Sequence, residues 1–415
     1  MTTSRVRFGV VGFALALAMI AYMQRVSISL AAPGIQADLG LDKPTMGLIF
    51  GAFALSYALL EVPMGALGDK FGMRRVLAPL VIVWSFFQAA SGAAWNFTSL
   101  FIARLLFGAG EAGCFPNITK MLAVWLPRNE RVRVQSIIWA CTRGAAAVTP
   151  LIMLPLIAAA GWRGAFLFFG VLGGVWAVAF LLLYKDDPAK HPKIDAAELK
   201  LLEGSRVLAQ EKPAGGWFKA IAQKDVLLLV IQYTLFSFVW FFYSTWMPTF
   251  LQETYDLTQA DTAKLTWIPW VCGAAGCLVS GVIPVRIPRR TIALIGFAVT
   301  AVMLFSVGSA PTAMMAVVML GAASFFSDLT MPISWNTCVE LGRRYTATVA
   351  GTMNMCSGLA GFALSVGAGA MVKSLGGWTP VLQVMTAAAV ICFVCWIFLN
   401  PDKMARRHAE VEVMA

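Results

Sequence analysis

The chain has 415 residues, of which 59% are hydrophobic and 13% are charged, and its mean hydropathy is +0.75. Soluble globular proteins carry about 25% charged residues, so this composition excludes an ordinary soluble enzyme and indicates an integral membrane protein. The net charge of +11 does not indicate nucleic-acid binding, because Lys and Arg collect in alternate loops between apolar runs.

Apolar windows of about 20 residues predict twelve transmembrane helices, and therefore an all-α integral membrane fold. The first run follows Arg5 and Arg7 and continues past Ile20 without a small-residue cleavage site. We therefore interpret it as a membrane span and not as a signal peptide. The predicted spans are residues 8–31, 45–67, 76–95, 99–125, 134–160, 164–184, 225–251, 262–284, 291–309, 313–339, 349–373 and 380–399.

The basic residues predict an orientation for these spans. Of the 32 Lys and Arg residues, 24 fall on the side that carries both termini. Only four, Lys43, Arg163, Lys264 and Lys373, fall on the opposite side. The positive-inside rule then predicts a multi-pass protein of the inner (plasma) membrane with both termini in the cytoplasm.

A polar loop divides the predicted spans into two sets of six. We predict an N-terminal six-helix bundle at residues 1–184, a cytoplasmic linker at 185–224, a C-terminal six-helix bundle at 225–400 and a cytoplasmic tail at 401–415. The linker has a short amphipathic pattern around Ile194–Val207. Such a pattern is typical of a segment that lies at the membrane surface.

A glycine- and arginine-rich string, G-x-L-x-D-K-x-G-x-R-R, follows the second span at residues 65–75. Small residues allow two helices to approach closely, and an aspartate can bind a helix N-terminus or an arginine. We interpret this string as a conformational latch, the alternative being an ordinary charged turn. The latch residues are Gly65, Asp69, Gly72, Arg74 and Arg75.

The latch string recurs in weaker form about 216 residues later. The segment from Gly281 to Arg290 keeps the glycine and the arginines, but Val285 stands where Asp69 would recur. Two equal helical halves are typical of secondary transporters, in which the substrate binds between the repeats near the membrane midplane.

Two charged residues lie inside the apolar fourth span. Arg104 and Glu111 are seven residues apart, so on a helix they lie two turns apart on nearly the same face, about 10 Å along the axis. A charge at membrane depth costs roughly 2.5–3.5 kcal/mol and persists where it lines a polar cavity or is paired. The pattern favours an anion site with a proton carrier beside it, and the alternative is a structural ion pair.

The latch string resembles the signature of the major facilitator superfamily, and seven further strings resemble its anion:cation symporter family. They are spread over most of the chain: YMQRVSISLAAP (22–33), RLLFGAGEAGCFP (104–116), WLPRNERVR (125–133), GWRGAF (161–166), KDDPAKHP (185–192), STWMPTFLQE (244–253) and GTMNMCSGLAG (351–361). The family includes proton-driven carriers of galactonate, glucarate, hexuronates, tartrate and aromatic acids. The resemblance implies two six-helix bundles of the major facilitator fold and the proton-driven import of an organic carboxylate.

The resemblance also implies roles for individual residues. Arg25 and Arg104 would bind the substrate carboxylate, because guanidinium groups bind carboxylates bidentately and stay charged. Glu111 would carry the proton. Tyr22 and Tyr57 offer hydroxyls to a polyol or a second carboxylate, and the alternative for each is a packed or interfacial aromatic ring.

Some positions depart from the family pattern or lie outside it. Gln24, which is expected to contact the substrate, occupies the acidic position of the family's first span, and this puts the proton stoichiometry in question. Gly358 replaces an asparagine, which leaves Asn354 as the polar candidate of the eleventh span. Arg143 and Asp328 are a further intramembrane base and acid. They are expected either to pair or to act separately, Arg143 on a second anionic group and Asp328 as a second proton-coupling acid.

Glu61 and the aromatic residues of the seventh span each have two interpretations. Glu61, near the end of the second span, is expected to serve the latch near Asp69 and not the substrate. The seventh span is rich in aromatic residues, which include Tyr233, Trp240 and Tyr243. Such residues usually face lipid or the core, but in a cavity they could stack on a ring or a sugar face, with Tyr243 as a substrate ligand.

We therefore predict a proton-coupled symporter, acting as a monomer on a small organic anion such as a sugar acid. The main alternative is an uncoupled facilitator or anion exchanger for aromatic or dicarboxylic acids, and drug efflux is weaker. A transport-like membrane sensor is remote. No enzyme, metal or other cofactor is expected, because the eight cysteines lie in apolar runs and His191 and His408 lie in charged loops.

Overall fold

The computed structural model describes residues 4–210, 216–258, 261–262, 264–283 and 287–400, and within these ranges it contains helices and no strand. The first half contains α1 (Val6–Leu39), α2 (Lys43–Phe71), α3 (Met73–Gly92), α4 (Phe97–Glu111), α5 (Cys114–Trp125), α6 (Arg128–Leu183), α7 (Ala196–Leu201), α8 (Glu203–Gln210) and α9 (Gly216–Ile221). The second half contains α10 (Lys224–Thr245), α11 (Met247–Tyr255), α12 (Trp267–Val282), α13 (Arg289–Val307), α14 (Ala313–Asp328), α15 (Met331–Gly342), α16 (Thr346–Leu375) and α17 (Thr379–Phe398). Short 3₁₀ turns occupy Pro188–Lys190 and Arg343–Tyr345.

Local sequence signals set several helix ends. Helix α1 ends at Gly40, which has a left-handed φ of 64° that glycine adopts without steric cost. Helix α2 begins after Asp42, whose side chain accepts a hydrogen bond from the Thr45 backbone N–H at 2.9 Å. Helix α4 begins with a reciprocal capping box between Asn96 and Ser99. The Asp42 and Asn96 side chains thus accept hydrogen bonds from N–H groups that have no partner within the helix at its start.

Helix α6 is interrupted at one glycine. Gly161 has φ 67° and ψ 173°, which is not helical. The break falls between the predicted fifth and sixth spans, 134–160 and 164–184. By contrast, the predicted fourth span, 99–125, is divided into α4 and α5 by a turn at residues 112–113, although Ala112 and Gly113 both keep right-handed helical backbone angles.

Eight of the described helical segments are long and apolar enough to cross a membrane. The chain is therefore a multi-pass membrane protein, while the count of twelve spans stays a prediction. The eight segments are Val6–Leu39, Thr45–Phe71, Met73–Gly92, Arg128–Leu183, Lys224–Thr245, Arg289–Val307, Ala313–Leu364 and Thr379–Phe398.

The helices form two compact units, each with its own apolar core. The described residues of the first unit fall within Met1–Arg131, Cys141–Trp217 and Gly342–Met355, and those of the second fall within Val132–Ala140, Phe218–Leu341 and Cys356–Ala415. Each unit thus takes one short segment from the other half of the sequence, residues 342–355 in the first and 132–140 in the second. The first core includes Met23, Trp162 and Phe166. The second includes Phe242, Phe250 and Trp378.

Much of the predicted linker packs against the first unit. The fully buried carboxylate of Glu198, in α7, accepts hydrogen bonds from the backbone N–H groups of Val6 and Arg7 and so caps the start of α1. In α8, the Ser205 hydroxyl donates to the Leu126 carbonyl at 2.8 Å. The predicted amphipathic segment is therefore helical and is held to the first unit by hydrogen bonds. The predicted tail, 401–415, lies outside the described residues.

Candidate anion and proton site

An ion pair between the first and fourth predicted spans lies inside the first unit. The Arg25 Nε atom on α1 lies 2.5 Å from the Glu111 Oε1 atom at the end of α4. Glu111 is fully buried, whereas 22% of the Arg25 side chain is exposed. The arginine is therefore the member of the pair that an incoming anion can reach.

Aromatic rings surround the Arg25 guanidinium. Its central carbon lies 4.2 Å from the centroid of the Tyr57 ring and 5.3–5.7 Å from those of Phe53, Tyr22 and Phe115. Ring faces attract a cation within about 6 Å. The two tyrosines predicted to contribute to the site thus lie at Arg25.

Arg104 has a different partner from the one that its spacing suggested. Its Nη1 atom donates to the Gln88 side-chain oxygen at 3.0 Å, and Gln88 in turn donates to the Ser27 hydroxyl. The Arg104 side chain is almost completely buried, and its Nε atom has no hydrogen-bond partner. Its guanidinium carbon lies 5.6 Å from the Phe53 ring that Arg25 also approaches. The two arginines share a neighbouring ring, but only Arg25 contacts Glu111 among the ion pairs of the described residues.

A second buried acid joins this cluster. Glu61 on α2 is fully buried, and its carboxylate accepts a hydrogen bond from the Asn354 amide on α16. The same amide donates to the Tyr57 hydroxyl at 3.3 Å. Glu61 was predicted to serve the latch, whereas in the structure it lies beside the Arg25 cluster. The signal was present: Tyr57 and Glu61 are four residues apart and therefore share one helix face.

Gln24 does not join the cluster, although it was predicted as a substrate ligand. Its side chain is fully buried, and its Nε2 atom donates to the Phe169 carbonyl oxygen at 2.6 Å. One residue corresponds to a rotation of about 100° around a helix. Gln24 therefore points away from the Arg25 face and packs against α6.

The remaining predicted site residues are divided between the two units. Tyr243 lies in the core of the second unit, where its hydroxyl donates to the Leu320 carbonyl at 2.9 Å. Asp328, also buried in the second unit, has its Oδ2 atom 3.5 Å from the Ser324 hydroxyl. Arg143, on α6 in the first unit, lies close enough to Tyr22 for an electrostatic interaction. Within the first unit, the structure thus places Arg143 near the Arg25 cluster, whereas Tyr243 is part of the core of the second unit.

The latch aspartate binds the start of a helix. The Asp69 carboxylate accepts hydrogen bonds from the backbone N–H groups of Ala347 and Thr348 at 3.2 and 2.7 Å, and from the Thr348 hydroxyl at 2.7 Å. These donors belong to the first turn of α16, where the helix dipole favours a negative charge. Lys120 lies 3.6 Å from Asp69 and donates to the Arg343 carbonyl at 2.9 Å.

Two other latch residues, Gly72 and Arg74, contact the end of α6 and the residues that follow it. The Arg74 guanidinium donates to the Leu181 carbonyl at 2.9 Å, and its backbone N–H donates to Asp186 at 3.0 Å. Burial raises the pKa of the Asp186 carboxyl. Gly72 has φ 88°, and a Cβ there would lie 2.8 Å from an Asp186 oxygen, so both conformation and space favour glycine. Arg75 is exposed.

The sequence matches a known family over most of its length. Residues 14–365 match the profile of the Major Facilitator Superfamily. The chain belongs to this superfamily. It is therefore a membrane transport protein and not an enzyme. No group of three or more His, Cys, Asp or Glu side chains that could hold a metal ion occurs in the described ranges.

Individual superfamily members resemble the whole chain. It is 30% identical over 412 residues to the "Probable sulfoacetate transporter SauU" of Cupriavidus necator, covering 96% of this chain and 94% of that protein. It is 29% identical to the "Hexuronate transporter" of Bacillus subtilis, covering 96% of this chain and 97% of that protein. The crystal structure of the transporter FucP in the outward conformation matches with a TM-score of 0.79 at 12% identity, covering 95% of this chain and 100% of FucP. The predicted major facilitator fold is thus confirmed.

Proposed function

We propose that this protein is a proton-coupled symporter that imports a small organic carboxylate, such as a sugar acid, by alternating access. The observation that carries the proposal is the ion pair between Arg25, which is partly exposed, and Glu111, which is fully buried. The names of its relatives, which specify sulfoacetate and hexuronate, support a small organic anion as the substrate.

The ion pair offers a direct means of coupling. Arg25 is the only cation that contacts Glu111 among the ion pairs of the described residues. A substrate carboxylate that binds Arg25 competes with Glu111 for the guanidinium, which prefers bidentate binding. A buried carboxylate that loses its cation is costly, so Glu111 takes up a proton. Substrate and proton then bind together, and the release of either favours release of the other.

Arg104 is the proposed second ligand of the anion. Gln88 holds its guanidinium at 3.0 Å, so substrate binding to Arg104 would replace a neutral amide with a carboxylate, sulfonate or second anionic group. An anionic group adds charge attraction and can bind the guanidinium bidentately, which the neutral Gln88 amide oxygen cannot do, so this exchange is favourable. Tyr22 and Tyr57 would bind the hydroxyls of the substrate, and Arg143, beside Tyr22, would attract a second negative charge.

The setting of the site completes the proposal. The 24-to-4 division of basic residues supports an inner-membrane protein with both termini in the cytoplasm. Asp69, Lys120 and the glycines of the latch would hold the start of α16 on that side in one state of the cycle and release it in the other. Since the Arg25 cluster lies within one chain, we propose a monomer as the working form.

An uncoupled facilitator or anion exchanger is the second candidate, and one observation favours it. Gln24 cannot carry a proton and is held by the Phe169 carbonyl. The two functions differ in whether a proton gradient drives accumulation.

Transport by purified protein in liposomes tests the proposal. A thermal-shift screen with sulfoacetate, a hexuronate and galactarate selects the substrate, which is then supplied in radiolabelled form with an inward proton gradient. We expect accumulation by the wild type. Glu111→Gln should strongly reduce accumulation but retain counterflow exchange, while Glu340→Gln, which changes a buried acid of the second unit, should leave both accumulation and exchange at the wild-type level. Accumulation by Glu111→Gln at the wild-type level would contradict the role of Glu111.

A further inference from the structure

One face of α2 packs closely against the first turns of α16 inside the first unit. Tyr57, Glu61, Gly65 and Asp69 recur at every fourth position, so they line one face of the helix. A Cβ on Gly65 would collide with the Ala347 carbonyl oxygen. On the other side of the contact, a Cβ on Gly351 would lie 2.6 Å from the Glu61 carbonyl oxygen. The two backbones therefore touch without intervening side chains.

Each end of this contact is held by a carboxylate. At one end, Asp69 binds the backbone N–H groups of Ala347 and Thr348. At the other end, two helical turns away, Glu61 binds the Asn354 amide. We call this contact the α2–α16 interface. Asp69 has Lys120 as a neighbouring cation at 3.6 Å, whereas the Glu61 carboxylate accepts its hydrogen bond from the neutral Asn354 side chain.

The groups around Glu61 determine whether its carboxyl is ionised or protonated. Its Oε1 atom accepts the Asn354 bond, while its Oε2 atom is buried with no hydrogen-bond partner. The ionisable groups that act on it are Arg25 from α1, Glu111 from α4 and Tyr57 from its own helix, and α16 contributes the neutral Asn354. Arg25 is the cation in this set, and its ion pair is with Glu111. A buried carboxylate without a cation in contact is strongly disfavoured.

We propose that Glu61 is a second proton-binding site and that its protonation loosens the α2–α16 interface. This inference rests on the proposed function, because it requires a proton-driven carrier. The proton binds the unpartnered Oε2 atom when the substrate anion occupies Arg25 and adds a second negative charge nearby. No bond other than this O–H bond forms, and the same proton leaves on the cytoplasmic side after the substrate.

The direction of the effect follows from the hydrogen bond to Asn354. An ionised Glu61 accepts a charge-assisted bond, which is about twice as strong as the bond to a neutral carboxyl. Loading the proton therefore weakens the end of the interface nearest to Arg25 and favours release of α16. Loss of the proton restores the bond. The substrate site and the latch are thereby linked through one helix face, and two protons accompany each substrate anion.

The proton-to-substrate ratio tests this inference. Purified protein in liposomes is given fixed gradients of the selected radiolabelled carboxylate and of protons, and the membrane potential is set with potassium and valinomycin. The potential at which net substrate flux is zero gives the ratio. We expect two protons per anion for the wild type and for the matched control Glu340→Gln, and one for Glu61→Gln.

Further variants separate a role in proton binding from a role in packing. Glu61→Asp keeps the titratable group, so we expect a ratio of two even if its transport rate falls. Counterflow exchange by Glu61→Gln shows that this variant is folded. If Glu61→Gln exchanges too slowly to measure, substrate-induced proton uptake by the detergent-solubilised variant replaces the flux assay, with an expected loss of one proton.

The outcomes distinguish this inference from the proposed function. A wild-type ratio of one, or a ratio of two that persists in Glu61→Gln, overturns the role of Glu61 and leaves the symporter intact. Wild-type flux that does not respond to the proton gradient overturns both.

Discussion

The two compact units bury different chemistry. The first unit buries an ion pair, Arg25 with Glu111, and a second acid, Glu61. With the 216-residue offset between the two copies of the latch string, Arg25, Tyr57 and Glu61 correspond to Phe241, Gly273 and Cys277.

The second unit is dominated at its core by aromatic and aliphatic contacts around Phe242, Phe250 and Trp378. Tyr243, the predicted substrate ligand in this unit, donates its hydroxyl hydrogen bond to the Leu320 backbone carbonyl. We infer that anion and proton binding are concentrated in the first unit, and that the second unit supplies shape and apolar surface. The second copy of the repeat thus lacks the charged groups that correspond to Arg25 and Glu61.

The largest expected effect comes from removing the central cation. Arg25→Ala should weaken carboxylate binding by about 100-fold or more, because breaking one partner of a buried charged pair costs about 2–5 kcal/mol and leaves Glu111 without a cation. Phe241→Ala, the corresponding change in the second unit, should weaken it by less than about tenfold, on the order of 1.4 kcal/mol. Calorimetric titration of purified protein measures both. Equal losses would remove the distinction between the units.

A smaller effect is expected from the latch. Asp69→Asn removes the charge that binds the start of α16 and should slow uptake about tenfold, since hydrogen bonds to charged groups contribute about 1.5–3 kcal/mol. Substrate binding should stay within about twofold, on the order of 0.4 kcal/mol. Val285→Asn, at the corresponding position of the second copy, should leave both nearly unchanged. Initial uptake rates and thermal shifts check this pair, and parallel loss of uptake and binding would argue against a latch.

The glycines of the two latch copies sharpen the comparison further. Gly65→Ala should lower thermal stability by about 1–3 kcal/mol, because its Cβ meets the Ala347 backbone. In Gly281→Ala the nearest obstacle is the Ser136 side chain, whose Cβ lies 2.8 Å away. Adding Ser136→Gly should therefore restore the stability of Gly281→Ala. Thermal unfolding midpoints of the variants test this prediction. If Ser136→Gly fails to restore stability, the added Cβ at Gly281 also clashes with backbone atoms.

The smallest expected effect separates two tyrosines. Tyr243→Phe removes one buried hydrogen bond to Leu320 and should reduce stability by about 1 kcal/mol without changing substrate affinity. Tyr57→Phe removes a hydroxyl beside Arg25 and Asn354 and should reduce affinity severalfold, for a loss of about 1 kcal/mol. Binding isotherms for the two variants provide the test. An affinity loss confined to Tyr243→Phe would indicate that the substrate binds in the second unit, contrary to the proposal.

Helix class and several helix boundaries followed from the sequence. Apolar runs and charge-rich loops predicted an all-α membrane protein, and the break at Gly161 falls between two predicted spans. Hydropathy did not reveal the turn between α4 and α5, because Gly113 and its neighbours are as apolar as the helices they separate. The sequence also did not predict that residues 132–140 belong to the second unit and residues 342–355 to the first. Packing between helices that are distant in sequence leaves no periodic pattern.

The site was partly predictable. The periodicity of α4 placed Arg104 and Glu111 on one face. It could not show that Glu111 forms its ion pair with Arg25 of α1, or that Arg104 donates a hydrogen bond to Gln88. Glu61 was assigned to the latch because of its position near the end of a span. Its four-residue spacing from Tyr57 indicated a shared face, whereas its partner Asn354, 293 residues away, required the tertiary structure.

Proton uptake on substrate binding tests the central proposal most directly. The selected carboxylate, fully ionised near neutral pH, is added to purified protein in a weakly buffered solution that contains a pH indicator. The exchange of Glu111 for substrate at Arg25 predicts that the wild type removes protons from the solution in proportion to bound substrate. Glu111→Gln should bind substrate with one proton fewer. Saturable binding with no proton uptake by the wild type, or with equal uptake by the variant, would contradict it.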